Sequence, residues 1–151
     1  IDLLGSDERD KLHITGRLDF NSTGLILLTN DGRWSRQLSS PANKLSKCYR
    51  VELEKPLNQS YISAFEQGMY FEFEGITTQP AKLKIISSHI AEVSLTEGRY
   101  HQIKRMFGRF QNKVLQLQRL SVGALVLDPE LLPGQYRDLK QSEVDSIFIN
   151  N

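Results

Sequence analysis

Three short segments of this chain alternate apolar and polar residues with a period of two: CYRVEL (48–53), AKLKII (81–86) and AEVSL (91–95). Successive side chains on a strand point to opposite faces, so this pattern describes a sheet with one buried face. In CYRVEL, Tyr49, Val51 and Leu53 share that face, while Arg50 and Glu52 take the other. The polar SSH between the second and third segments is short enough to read as a hairpin. VLQLQRL (114–120) reads as a further strand, and GLILLT (24–29), a continuous apolar run, as a buried one.

Helices fit between these strands. One is expected after NDG (30–32), with Trp34 and Leu38 one turn apart on its inner side. NQSYISAFEQG (58–68) has Tyr61, Ile62 and Phe65 on its apolar side and Gly68 as a stop. After Gly98, the residues Ile103, Met106, Phe107 and Phe110 recur at helical spacing. SEVDSIF reads as a short C-terminal helix with Ser142 as its cap. The expected class is α+β, with strands joined mostly as antiparallel neighbours.

Several function classes are disfavoured. No apolar run approaches the ~20 residues a membrane helix needs. Neither GxGxxG nor a GKS or GKT loop occurs, which argues against a nucleotide-binding enzyme. His13, His89 and His101 are scattered and no CxxC occurs, so no metal site is expected. A single cysteine, Cys48, allows no intrachain disulfide and suits a reducing compartment.

The net charge of +1 conceals a pattern. Arg33, Arg36, Lys44, Lys47 and Arg50 fall in an acid-free stretch, and Arg99, Lys104, Arg105, Arg109, Lys113 and Arg119 in a stretch with Glu97 alone. Glu52, Glu54, Glu66, Glu72 and Glu74 gather elsewhere. Each basic cluster could be a solvated face. Two of them could also form one basic surface for a polyanion.

Three segments, GRLDFNSTGLILLTNDG (16–32), KCY (47–49) and EGRYHQIKRMF (97–107), resemble the sequence motifs of RNA pseudouridine synthases of the ribosomal branch. The likeness runs from about Ile14 to Arg137. The tyrosine and histidine of EGRYHQIKRM are most similar to the enzymes acting on small-subunit (16S) RNA. The resemblance implies a central, mostly antiparallel mixed sheet with flanking helices and a cleft across one face. It implies isomerisation of a uridine in ribosomal RNA to pseudouridine, without metal or cofactor, because the bonds broken and made are nearly equivalent. The alternatives are a large-subunit (23S) RNA enzyme of the same branch and a non-catalytic RNA-binding domain.

The resemblance also assigns residues. Asp19 matches the nucleophilic aspartate, a carboxylate able to attack carbon and leave again. A turn-capping aspartate is the competing reading of that position. Tyr49 matches the tyrosine that stacks on the extruded uracil and takes its C5 proton; otherwise it is a core tyrosine. Lys104 matches the cation beside the aspartate, where the large-subunit relatives usually carry arginine. Arg17 would hold the RNA once the base has left the stack, and Arg33, Arg36, Lys47, Arg99, His101, Arg105 and Arg109 are expected at RNA. The S4-type RNA-binding domain and the first catalytic strand of full-length members are not in this sequence, so residues 1–151 are expected to be a catalytic domain truncated at its N-terminal edge. A monomeric cytoplasmic enzyme is expected, with ribosomal RNA as its partner.

Overall fold

The computed structural model describes residues 12–15, 18, 21–40, 43, 45–98 and 101–148. In chain order the elements are β1 (His13–Thr15), β2 (Thr23–Gly24), β3 (Leu27–Thr29), α1 (Gly32–Ser39), β4 (Lys47–Leu53), α2 (Gln59–Gln67), β5 (Tyr70–Phe71), β6 (Ile76–Thr77), β7 (Lys82–Ser87), β8 (Ile90–Leu95), α3 (Gln102–Gly108), β9 (Val114–Val122), β10 (Leu125–Val126) and α4 (Gln141–Ser146).

The alternating segments form the central sheet, in the order β10-β9-β4-β8-β7, all neighbours antiparallel. β2 adds to β9 in parallel, which makes the sheet mixed. One face carries Val51 and Leu53 from β4, Ala91, Val93 and Leu95 from β8, Leu83 from β7 and Leu117 from β9, all buried. Tyr61 and Phe65 of α2 and Ile103, Met106 and Phe107 of α3 close over this face as a single apolar cluster. Phe65, Met106 and Phe107 are wholly buried, as their helical spacing requires. Phe110 lies just beyond α3 and stacks on Tyr61 with ring centroids 4.0 Å apart.

The helix ends follow from their capping residues. Asp31 accepts from the amides of Arg33 and Trp34 at the start of α1. Asn58 accepts from Ser60 at the start of α2, and Gly68 ends that helix at φ +84°.

Two expectations fail. GLILLT is not one buried strand: Thr23–Gly24 joins β9, whereas Leu27–Thr29 pairs with His13–Thr15 in a separate sheet. Only Leu27 of that run is buried, and Ile26 is exposed. Ser142 is not the cap of the last helix, because α4 already begins at Gln141. Instead the Glu143 carboxylate accepts from the Lys140 amide, and Arg137 grips the same carboxylate through two nitrogens.

Those hydrogen bonds, the Arg137 ones first, hold the Glu143 pKa down at about 2. The charged form is favoured by folding, so this contribution is complete above the usual glutamate range near ~4.3 and is lost as pH falls through about 2. A carboxyl-carbon NMR titration should place the Glu143 midpoint well below the ordinary glutamate value near ~4.3, and a midpoint at that value would refute the pairing.

Candidate active site

Along the apolar face of the sheet, the side chains turn polar at one end. Tyr49 stands opposite Val93 on β8 and Arg119 on β9, and Lys47 lies on the same face opposite Leu95. Tyr49 is half-buried and packs against the cluster that also holds α3. The strand tyrosine and the helix that carries Lys104 thus pack against one apolar cluster.

Lys104 lies on the side of α3 that borders an open cleft of about 780 Å³. Gly108 and Asn21 line the same cleft, together with Lys113, just before β9, and Gln116 within it. Asn21, two residues after Asp19 in sequence, thus lines the same cleft as residues of α3 although the two are far apart along the chain. Asp19, Arg17 and Arg99 lie outside the described residues.

His101 precedes α3 in the left-handed conformation, φ +48° and ψ +33°, half-buried. A non-glycine residue held there is strained, and such strain concentrates at functional sites. Gln102, which the sequence pattern does not single out, is buried: its Nε2 donates to Glu97 Oε2 at 2.8 Å, and the Gln79 amide donates to the same oxygen at 2.9 Å. These bonds tie the start of α3 to the loop before it, which fixes where Lys104 stands.

The basic residues divide into groups. Arg33, Arg36 and Arg109 are exposed. Arg105 is engaged: its guanidinium binds Glu74, with Nη2 at 2.9 Å from Oε1, and lies 4.1 Å from the Phe71 ring centre. The fold thus brings one of the separately clustered acids onto the basic helix. Lys47 is half-buried, and burial first, then the Arg119 charge, pushes its pKa down. Arg119 is a correction to the sequence reading: it is 2% exposed and so forms no part of a basic surface.

No helix among the described residues is long and apolar enough to cross a membrane, and no group of three or more potential metal ligands occurs among them.

The sequence model of the RNA pseudouridylate synthase family matches residues 2–108. The chain belongs to the RNA pseudouridylate synthase family. Among its relatives in that family, the ribosomal small subunit pseudouridine synthase A of Pseudomonas aeruginosa is 52% identical over 97% of this chain and 64% of its own length. The protein of the same name from Vibrio vulnificus is 45% identical over 97% and 64%. A solved pseudouridylate synthase superposes with a TM-score of 0.95 at 42% identity, covering 97% of this chain and 64% of that one. The chain therefore spans a little under two thirds of the length of these pseudouridine synthases. An archaeal box H/ACA Nop10–Cbf5 complex shares the fold, with a TM-score of 0.56 at 18% identity.

Proposed function

We propose that this chain is the catalytic part of a monomeric enzyme that isomerises one uridine of small-subunit ribosomal RNA to pseudouridine in the cytoplasm. The observation that supports the reading is that Lys104 and Asn21, the latter two residues after Asp19 in sequence, line one cleft. Its support from kinship is the 52% identity to a small-subunit enzyme over 97% of the chain.

The chemistry then follows from the residues. C1′ and C5 of a stacked uridine are out of reach, so the nucleotide must be extruded into the cleft at a cost of a few kcal/mol. The Asp19 carboxylate attacks C1′ and the C1′–N1 bond breaks. The freed uracil turns, the C1′–C5 bond forms as the carboxylate leaves, C5 gives up its proton and N1 gains one. The product is an isomer, so no oxidant or second substrate is consumed. The Lys104 ammonium near this cleft keeps the nucleophile ionised at neutral pH. Tyr49 supplies an aromatic ring from the sheet wall for the turning base, and its hydroxyl oxygen takes the C5 proton as its own O–H proton passes to solvent.

Mapping of pseudouridine after the full-length enzyme has acted on 16S and on 23S RNA tests the substrate. Modification at one 16S position is expected, and modification of 23S RNA alone would reverse the assignment.

RNA affinity should also fall steeply with salt, because bound cations displace counterions from the strand. Arg109→Ala is expected to flatten the log–log salt slope by about 0.7, the value for one single-strand phosphate contact. Arg105→Ala should flatten it less, since Glu74 already occupies that guanidinium. A slope that ignores Arg109 would place the RNA on another surface.

A further inference from the structure

Arg119 is buried on the sheet face that bears Tyr49, and stands opposite that tyrosine in the β4–β9 pairing. Its Nε donates to the Leu25 carbonyl at 2.8 Å, and its own carbonyl accepts from the Leu25 amide at 2.9 Å. Its Nη2 is buried with no hydrogen-bond partner among the described residues. Among the described residues it forms no ion pair with a carboxylate, and the cation Lys47 is close enough to feel its charge.

A buried guanidinium without a matching anion is costly, and an apolar side chain of similar volume would fill such a site more cheaply. What the guanidinium does, and methionine cannot, is grip a carbonyl from a rigid strand. That carbonyl belongs to Leu25, the last residue of GRLDFNSTGL. One residue earlier, Gly24 adopts φ +117° and lies so close to Arg119 that a Cβ would collide with its backbone. The end of the motif is thus clamped to β9 at Gly24 and at both polar groups of Leu25. Catalytic groups must be held within roughly 0.5 Å of their productive geometry, and a rigid strand is a better anchor than a loop.

We propose that Arg119 is a positioning residue for uridine isomerisation: it fastens the C-terminal end of GRLDFNSTGL to β9 and so fixes the reach of Asp19 toward the face carrying Tyr49. The proposal rests on the reading of Asp19 as nucleophile.

The test uses the full-length protein with Arg119→Met, Arg119→Lys and Asp19→Asn. Single-turnover tritium release from 16S RNA labelled at uridine C5, RNA affinity and thermal unfolding are measured for each. Arg119→Met should lower the saturated rate about 100-fold, the penalty of a misplacement near 1 Å, with affinity kept within about threefold. Arg119→Lys can regain the Leu25 bond through its ammonium and should recover about tenfold of that loss. A folded Arg119→Met at the wild-type saturated rate overturns the proposal, and so does a loss confined to affinity. If Arg119→Met does not fold, Arg119→Lys decides: a slowed rate at unchanged affinity supports positioning, and a wild-type rate overturns it. Failure of both to fold also overturns it, since the residue would then serve the fold alone. Asp19→Asn separates the two claims. Its retention of activity would sink the nucleophile reading, whereas its inactivity beside a wild-type Arg119→Met sinks only the positioning role.

Discussion

Asp19→Asn should abolish pseudouridine formation while leaving folding and RNA affinity nearly unchanged. The amide has the shape of the carboxylate and lacks its charge, so it can fill the same space without attacking C1′. Loss of a covalent nucleophile commonly costs on the order of 10⁴–10⁶-fold in kcat, far beyond what a turn residue contributes. Turnover within a few-fold of wild type in tritium release would return Asp19 to the role of a turn residue.

Gly24→Ala should be the most damaging single methyl group in the described chain near this site. At φ +117° an L side chain is strained, and the added Cβ meets the backbone of Arg119 rather than a yielding side-chain tip. Strain and overpacking together give a destabilisation of roughly 2–5 kcal/mol, centred on the β2–β9 pairing. Urea unfolding of the full-length protein would register it as a lower midpoint. A change below ~0.5 kcal/mol would mean that β2 does not lie against β9 as described.

The sheet was legible in the sequence because period-two alternation is a local signal. CYRVEL and the AKLKII–AEVSL hairpin pair as their patterns require, and Tyr49 takes the face of Val51 and Leu53. GLILLT was opaque because continuous apolar residues carry no period. What divides it is a long-range event, the docking of Thr23–Gly24 on β9 and of Leu27–Thr29 on β1. Arg119 looked like one more surface cation because arginine is rarely buried. The same alternation could have placed it, since Arg119 follows the buried Leu117 on one face of β9. The Glu74–Arg105 pair joins two clusters that stand apart in sequence, and no local pattern announces it.

At the candidate site, the helical spacing of Ile103, Met106, Phe107 and Phe110 leaves His101, Lys104 and Gly108 on a neighbouring stripe; Lys104 and Gly108 line the cleft, and His101 is not among its lining residues. That Asn21 lines the same cleft is a property of the fold, which no local pattern announces. Gln102 shows the converse: helical spacing said nothing of its burial against Glu97, which positions the same helix.

The most direct measurement of the catalytic reading is a crystal structure of the full-length protein in which the Asp19 carboxylate is located relative to Lys104 Nζ and the Tyr49 ring. The account predicts all three in one cleft, with the carboxylate and the ammonium within the ~4–6 Å over which opposite charges favour each other's ionised form. A carboxylate separated from both Lys104 and Tyr49 by more than that range, with no cleft shared among them, would contradict it.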